Sequence, residues 1–244
     1  MAKEINLQLE MEKIQKALER NSDFSIHERE ELARYAEMLL DKNQYMNLTA
    51  ITEGNEFYVK HLIDSLSLLP ILKTLEPGHK VLDIGSGAGL PGIPLKIMRK
   101  DLDFTLLDSL LKRLKFIDDV IRELKLTGIQ TLHSRAEDAG ADKEFREQFD
   151  VVTARAVASL PILLELGVPF VKIGGEFVAM KGAKDESSEA EKACKLLGVV
   201  LEEELQLDLP EGGGSRNLLR YRKVKMTPLN YPRKAGIPNK NPLI

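Results

Sequence analysis

Twelve residues constrain this chain more than any others: VLDIGSGAGLPG, positions 81–92. An apolar run that ends in alternating glycines and leads into a second apolar segment reads as strand, tight turn and helix. Turns of this kind lie at the carboxyl ends of parallel strands, where open α/β sheets bind ligands. The following segments keep the alternation, with strands expected at Val81–Gly85, Phe104–Asp108, Ile129–His133, Asp150–Ala154 and Glu176–Lys181. Helices are expected from Pro91, from a Ser109 cap through Leu124, after Leu160-Pro161, and over Lys184–Leu197 up to Gly198. Such alternation implies a mainly parallel sheet covered by helices on both faces. Two late strands, Val199–Leu207 and Leu218–Val224, flank Gly212-Gly213-Gly214 without a helix between them, so an antiparallel hairpin is expected at the sheet edge.

The region before the loop has a different pattern. Ile5, Leu9, Ile14 and Leu18 suggest a first helix, and Ser25 with Glu28 forms a capping-box pattern opening a second through Leu40. A loop carries Asn47-Leu48-Thr49, and a third helix is expected from about Glu53 to Leu69. The division expected is a helical region at 1–76, a ligand-binding domain at 77–226 and a tail at 227–244. No apolar run approaches the roughly 20 residues of a membrane span, and the charged start MAKEINLQLEMEKIQ lacks an export signal. The one cysteine, Cys194, cannot form an internal disulfide and reads as a helix face. A cytoplasmic protein is expected. The four histidines form no cluster, so no metal site is expected.

The chemistry of the loop favours one cofactor. Gly87, Gly89 and Gly92 satisfy a dinucleotide fingerprint, but Asp83 stands immediately before the turn. A pyrophosphate seeks a helix N-terminus clear of carboxylates. S-adenosylmethionine carries no phosphate; its ammonium and sulfonium groups suit a carboxylate. Gly85, Gly87 and Gly89 allow backbone to approach the ligand. Asp108 ends the next strand, at the spacing of ~20 residues where a carboxylate grips ribose hydroxyls, although it could also start the following helix. Ala136 and Glu137, after the third strand, would flank the adenine.

The acceptor is harder to read. Pyrimidine carbon methylation calls for a cysteine nucleophile, and Cys194 is badly placed. Exocyclic amines call for an Asn/Asp-Pro-Pro-aromatic turn after the fourth strand, where this chain has Thr153-Ala154-Arg155-Ala156-Val157. Both absences fit a ring nitrogen, whose lone pair is already exposed. Arg155 could hold a guanine edge, a cofactor carboxylate or a phosphate, or simply pair with a carboxylate such as Glu137. Lys181 borders the same cleft. Residues 215–244 carry 8 basic and no acidic side chains, against 27 basic and 38 acidic in residues 1–214. That concentration suits a polyanion, or a solvated tail.

The chain resembles the bacterial 16S ribosomal RNA guanine-N7 methyltransferases, the RsmG (GidB) family. The resemblance rests on NLTAI (47–51), KHLIDSL (60–66), VLDIGSGAGLPGIPLKI (81–97), LLDSLLKRLKFI (106–117), SRAED (134–138), TARAVA (153–158), MKG (180–182) and YPRKAGIPNKNP (231–242). It implies an α/β fold: a Rossmann-like class I S-adenosylmethionine methyltransferase with an N-terminal helical extension. It implies cofactor contacts at Gly85, Leu90, Ala136, Glu137 and Arg155, with Leu90 standing where many relatives have Phe. Asn47, His61 and Asp64 would line an acceptor pocket, although His61 and Asp64 alone read as a helix-surface pair. Arg222, Arg233 and Lys234 would meet RNA phosphates, with Tyr221 or Tyr231 stacking on a base. The implied partner is 16S ribosomal RNA or the small ribosomal subunit, with no membrane and no obligate protein partner. The alternatives are a small-molecule or protein methyltransferase on the same cofactor domain, and a non-catalytic RNA-binding module.

Overall fold

Alternation of side chains along each strand decides how the chain layers. The strands are β1 (Lys80–Ile84), β2 (Asp103–Asp108), β3 (Ile129–His133), β4 (Phe149–Arg155), β5 (Val171–Gly182), β6 (Val199–Leu209) and β7 (Gly214–Lys223). The computed structural model describes residues 6–155, 158–182 and 188–244. It places the strands in one sheet, ordered β3-β2-β1-β4-β5-β7-β6. β1 to β5 pair in parallel, while β7 runs antiparallel between β5 and the edge strand β6. The strand order reverses between β1 and β4, the switch point at which open sheets leave a crevice.

The helices are α1 (Leu7–Arg20), α2 (Ile26–Met46), α3 (Gly54–Phe57), α4 (Asp64–Leu66), α5 (Leu69–Leu72), α6 (Gly92–Met98), α7 (Leu111–Glu123), α8 (Ala136–Ala141), α9 (Leu160–Gly167), α10 (Glu191–Leu197) and α11 (Ile237–Lys240). Val81, Phe104, Leu106, Val151 and Val178 pack with α1, α2, α6 and α7. The intervening Leu82, Leu107, Val152, Phe177 and Ala179 pack with α8, α9 and α10. Both faces are thus buried, which is why the parallel strands read as near-continuous apolar runs. The N-terminal helices share their core with the sheet.

Several local expectations are corrected. The third helix is not continuous: a π-helical turn, Tyr58–Ile63, joins α3 to α4, and α5 begins afresh with Pro70 in its first turn. Ser109 does not cap α7; Leu110 precedes the helix, and Asp108 accepts the Leu110 N–H at 2.8 Å. Gly174-Gly175 lies inside β5, where a Cβ on Gly175 would come within 2.7 Å of the Asp150 carbonyl oxygen. Leu9 faces solvent while Met11, Ile14 and Leu18 are buried. The Ser25 capping box forms, and Gly198 ends α10 in the left-handed region. Ile5, Ala156, Val157 and Lys184, named above in motifs or helices, lie outside the described residues.

The tail is irregular apart from the short α11, yet it is anchored. Arg146 Nη1 donates to the carbonyls of Gly140 (2.9 Å) and Tyr231 (2.8 Å), and Nη2 to those of Thr227 (2.7 Å) and Pro228 (3.2 Å). One planar fork thereby ties the tail to α8. Arg146→Met should cost roughly 2–3 kcal/mol, a fall in Tm of roughly 4–12 °C. Thermal unfolding checks this; an unchanged Tm would show that the tail is held elsewhere.

Candidate active site

The residues singled out in the sequence converge at the carboxyl ends of β1, β2 and β4 and on the first turn of α8. Asp83, the fourth residue of β1, points to the face that carries the N-terminal helices and is fully buried. Its Oδ2 accepts the Gly92 N–H at 3.1 Å, while its Oδ1 is buried without a partner. Burial pushes this carboxyl up to about 7, although the Gly92 N–H and Arg155 pull the other way. Gly85, Gly87 and Gly89 have φ of 69°, 57° and 91°, so the turn requires glycine at each. Leu90 is buried behind it. Asp108 Oδ2 accepts the Gly87 N–H at 2.9 Å, so this carboxylate braces the glycine loop as well as the turn that leads into α7.

The N-terminal helices roof this corner. Tyr35, on α2, donates its buried hydroxyl to the Ala88 carbonyl at 2.9 Å, tying the helical region to the glycine loop. Burial raises its phenol far above the ordinary range. Asp64 accepts from Arg155 Nη1 at 3.3 Å and from Arg216 Nε, on β7, at 2.9 Å. Arg155 Nη1 also donates to the Lys60 carbonyl at 3.2 Å. The Nε and Nη2 of Arg155 have no hydrogen-bond partner among the described residues, which leaves a guanidinium edge for a ligand. The carboxylate pairing considered as an alternative does form, but its partner is Asp64 rather than Glu137.

His61 and Asp64 are not a surface pair; both are buried. His61 Nε2 lies 2.6 Å from Thr49 Oγ1, and burial, reinforced by Arg155, pushes the imidazole down to about 3, so it is neutral. Asn43 brackets Thr49 through both its backbone groups, at 3.0 and 2.8 Å. Asn47 is exposed beside that loop and adopts φ 48° at the end of α2. Lys181 donates to the Ala158 carbonyl at 2.8 Å. Sequence reasoning missed Tyr35, Asn43 and Thr49, whose signals were an unremarkable helix face and half of a motif. Among the described residues no group of three or more His, Cys, Asp or Glu could hold a metal ion.

The basic tail differs from its sequence reading. Arg222 Nη2 pairs with Glu176 at 2.6 Å and Glu202 at 3.1 Å. Arg233 pairs with the buried Glu165 at 2.5 Å. Both guanidiniums are therefore neutralised within the chain. Tyr221 is buried in the core and cannot stack on a base. Lys234 is exposed, with no ion pair among the described residues. Glu137 Oε1 accepts the Gly236 N–H at 3.0 Å.

The residues fit S-adenosylmethionine. An orphaned, buried carboxylate oxygen beside a loop of left-handed glycines needs a cationic partner, and the cofactor's ammonium or sulfonium group can supply one. Fold and site together define a class I S-adenosylmethionine-dependent methyltransferase. Likeness to solved structures shows the same fold. M. jannaschii TYW2 in complex with AdoMet aligns with TM-score 0.50 at 15% identity, over 66% of this chain and 77% of that one. Geranyl diphosphate C-methyltransferase from Streptomyces coelicolor, with S-adenosyl-L-homocysteine, aligns with TM-score 0.52 at 14% identity, over 66% and 76%.

The chain belongs to the rRNA small subunit methyltransferase G (GidB) family, whose pattern it matches over residues 28–212. It is 49% identical over 210 residues to ribosomal RNA small subunit methyltransferase G of Acetivibrio thermocellus, covering 86% of each chain. With the Alkaliphilus oremlandii protein of the same name, identity is 46% over 215 residues, covering 87% of this chain and 90% of the other.

The Asp83 carboxyl makes cofactor binding depend on pH. A cation favours the ionised carboxylate, so its pKa is lower in the complex and binding below pH 7 releases a proton. Affinity for S-adenosylhomocysteine, whose ammonium is the relevant cation, should rise about tenfold per pH unit from 5.5 towards 7 and then level off. Calorimetry checks this; a flat profile, or one unchanged in Asp83→Asn, would place the ligand's cation elsewhere.

Proposed function

We propose that this chain methylates N7 of a specific guanine in the 16S ribosomal RNA of the bacterial small ribosomal subunit, in the cytoplasm. The observation that carries the reading is Arg155, held by Asp64 at the mouth of the crevice with one guanidinium edge unengaged among the described residues. No described helix is long and apolar enough to cross a membrane. The partner in this reading is the RNA or the subunit, and no obligate protein partner is invoked.

When bound, S-adenosylmethionine supplies an electrophilic methyl group on a sulfonium sulfur. In this reading Gly85, Gly87, Gly89 and Leu90 hold its methionyl half, Asp83 faces its positive end, Asp108 takes the ribose, and Ala136 and Glu137 take the adenine. Guanine N7 carries a lone pair and no proton, so the protein needs no general base; its task is orientation. Arg155 can present two parallel N–H groups to guanine O6 or to a carboxylate, and Lys181 narrows the cleft beside it. Asn47, the neutral His61 and Asp64 form the acceptor side. Asp64 is shared by two guanidiniums, leaving a net positive corner that suits a polyanion. Since Arg222 and Arg233 are internally paired, phosphate contact falls to the exposed Lys234 and Lys240.

Nucleoside mass spectrometry of 16S ribosomal RNA from cells with and without the gene tests the substrate. Loss of one 7-methylguanosine is expected without it, and an unchanged nucleoside profile would overturn the assignment. Arg155→Lys should lower turnover on RNA at least about 100-fold with the fold retained by circular dichroism. Near-normal turnover would remove Arg155 from the site. RNA binding should also weaken steeply as salt rises, which a small-molecule acceptor would not show.

A further inference from the structure

We infer that the C-terminal strap, residues 227–241, is a positioning element of the cofactor site, acting through Glu137 and anchored by Arg233. The inference rests on the proposed reading of Glu137 as an adenine-side contact. It gives Arg233 a role other than meeting RNA.

Glu165 lies on α9, fully buried. A buried carboxylate demands charged and hydrogen-bonding partners, and all of those found here come from one strap residue. Arg233 donates its backbone N–H at 3.0 Å and its Nε at 2.8 Å to Oε1, and its Nη2 at 2.5 Å to Oε2. Both the backbone and the side chain of the strap are therefore fixed at this residue. Nη2 also reaches the Asn241 carbonyl at 2.8 Å, which closes the strap into a loop around α11.

Within that loop the chain turns at Gly236, with φ 81°, and presents its N–H to Glu137 Oε1. Glu137 stands in the first turn of α8. At the far end of α8, Gly140 lies under Pro232, so close that a Cβ would come within 3.2 Å of the proline ring. The strap thus grips both ends of α8. One oxygen of Glu137 is held by the strap, and the other, with no partner among the described residues, is left for the ligand. Lys234, between the two anchors, is exposed and unpaired among the described residues. The same strap therefore separates two tasks: Arg233 holds the cofactor wall while Lys234 faces outward.

The test uses the full chain and measures S-adenosylhomocysteine affinity by calorimetry and RNA affinity by filter binding. Arg233→Gln should weaken S-adenosylhomocysteine binding about 5–10-fold, raise KM for the cofactor, and leave kcat at saturating cofactor and RNA affinity within twofold. Arg233→Lys, which keeps the charge but loses the fork, should recover part of that loss. Lys234→Ala should do the opposite, weakening RNA and sparing the cofactor. Because Arg233→Gln leaves Glu165 buried without its cation, the pair Glu165→Gln with Arg233→Gln provides a variant with no orphaned charge; it should show the same cofactor loss. Glu137→Ala should weaken cofactor binding, and adding Arg233→Gln to it should cost little more, since both act on one contact. If Glu137→Ala leaves S-adenosylhomocysteine affinity unchanged, the reading of Glu137 fails and this route fails with it. If Glu137→Ala weakens binding but the folded Arg233 variants do not, or the two losses add in full, the strap inference alone is overturned.

Discussion

Asp64 sets the condition on which the rest of this site depends. It is a buried carboxylate from the N-terminal helices, and its two cationic partners, Arg155 and Arg216, come from the sheet. An aspartate removed from water without such partners would cost several kcal/mol. These pairs hold the helical region over the carboxyl ends of β4 and β5. The same docking brings Tyr35 onto the Ala88 carbonyl and fixes the glycine loop from above. The roof of the crevice is thus a set of helices held by buried polar contacts. A helical region that reads in sequence as an appendage is structurally part of the site.

The basic C-terminal stretch shows why formal charge misleads. Its arginines read as a phosphate-binding surface because residues 215–244 contain no acid of their own. Their partners lie elsewhere in the chain: Asp64 for Arg216, Glu202 and Glu203 for Arg220, Glu176 for Arg222, and Glu165 for Arg233. Lys223 is buried on Glu147. Alternation along β7 puts Tyr221 and Lys223 on one face, buried, and Arg220 and Arg222 on the other. Which face met protein and which met water was not legible in the sequence, because that depends on β6 and α9 arriving from other parts of the chain.

The same distinction separates the legible parts of the fold from the rest. Near-continuous apolar strands, the left-handed glycines of the loop, the Ser25 capping box and the Gly198 stop are local, and the structure has all of them. Asp83 and Asp108 were legible because their spacing from the loop is fixed by strand and turn geometry. Ser109 does not cap α7, because the helix starts one residue later, with Leu110 at its N-cap position. The burial of His61 and Asp64 could not be read from helical periodicity, since a π-helical turn shifts their faces and both partners are remote in sequence. Arg146 and Arg233 order the tail through contacts roughly seventy to eighty-five residues apart, beyond the reach of any local pattern.

Seen as charges, the crevice is divided. Its floor, between the first strand and the glycine loop, holds a buried acid with an unpartnered oxygen. Its mouth holds two guanidiniums sharing one carboxylate. In the proposed reading, a cationic cofactor and a polyanionic acceptor are thereby drawn to opposite ends of the site. Reversing either end would work against both ligands: a cation on the floor would repel a sulfonium, and a carboxylate at the mouth would repel phosphate. On that reading the protein lends its charges to placing the two reactants in line, which is the contribution that attack by a lone pair needs when no proton has to be moved first. Asp64 belongs to that division as much as Arg155 does, because its buried carboxylate is what holds the two guanidiniums of Arg155 and Arg216 together at one end of the site.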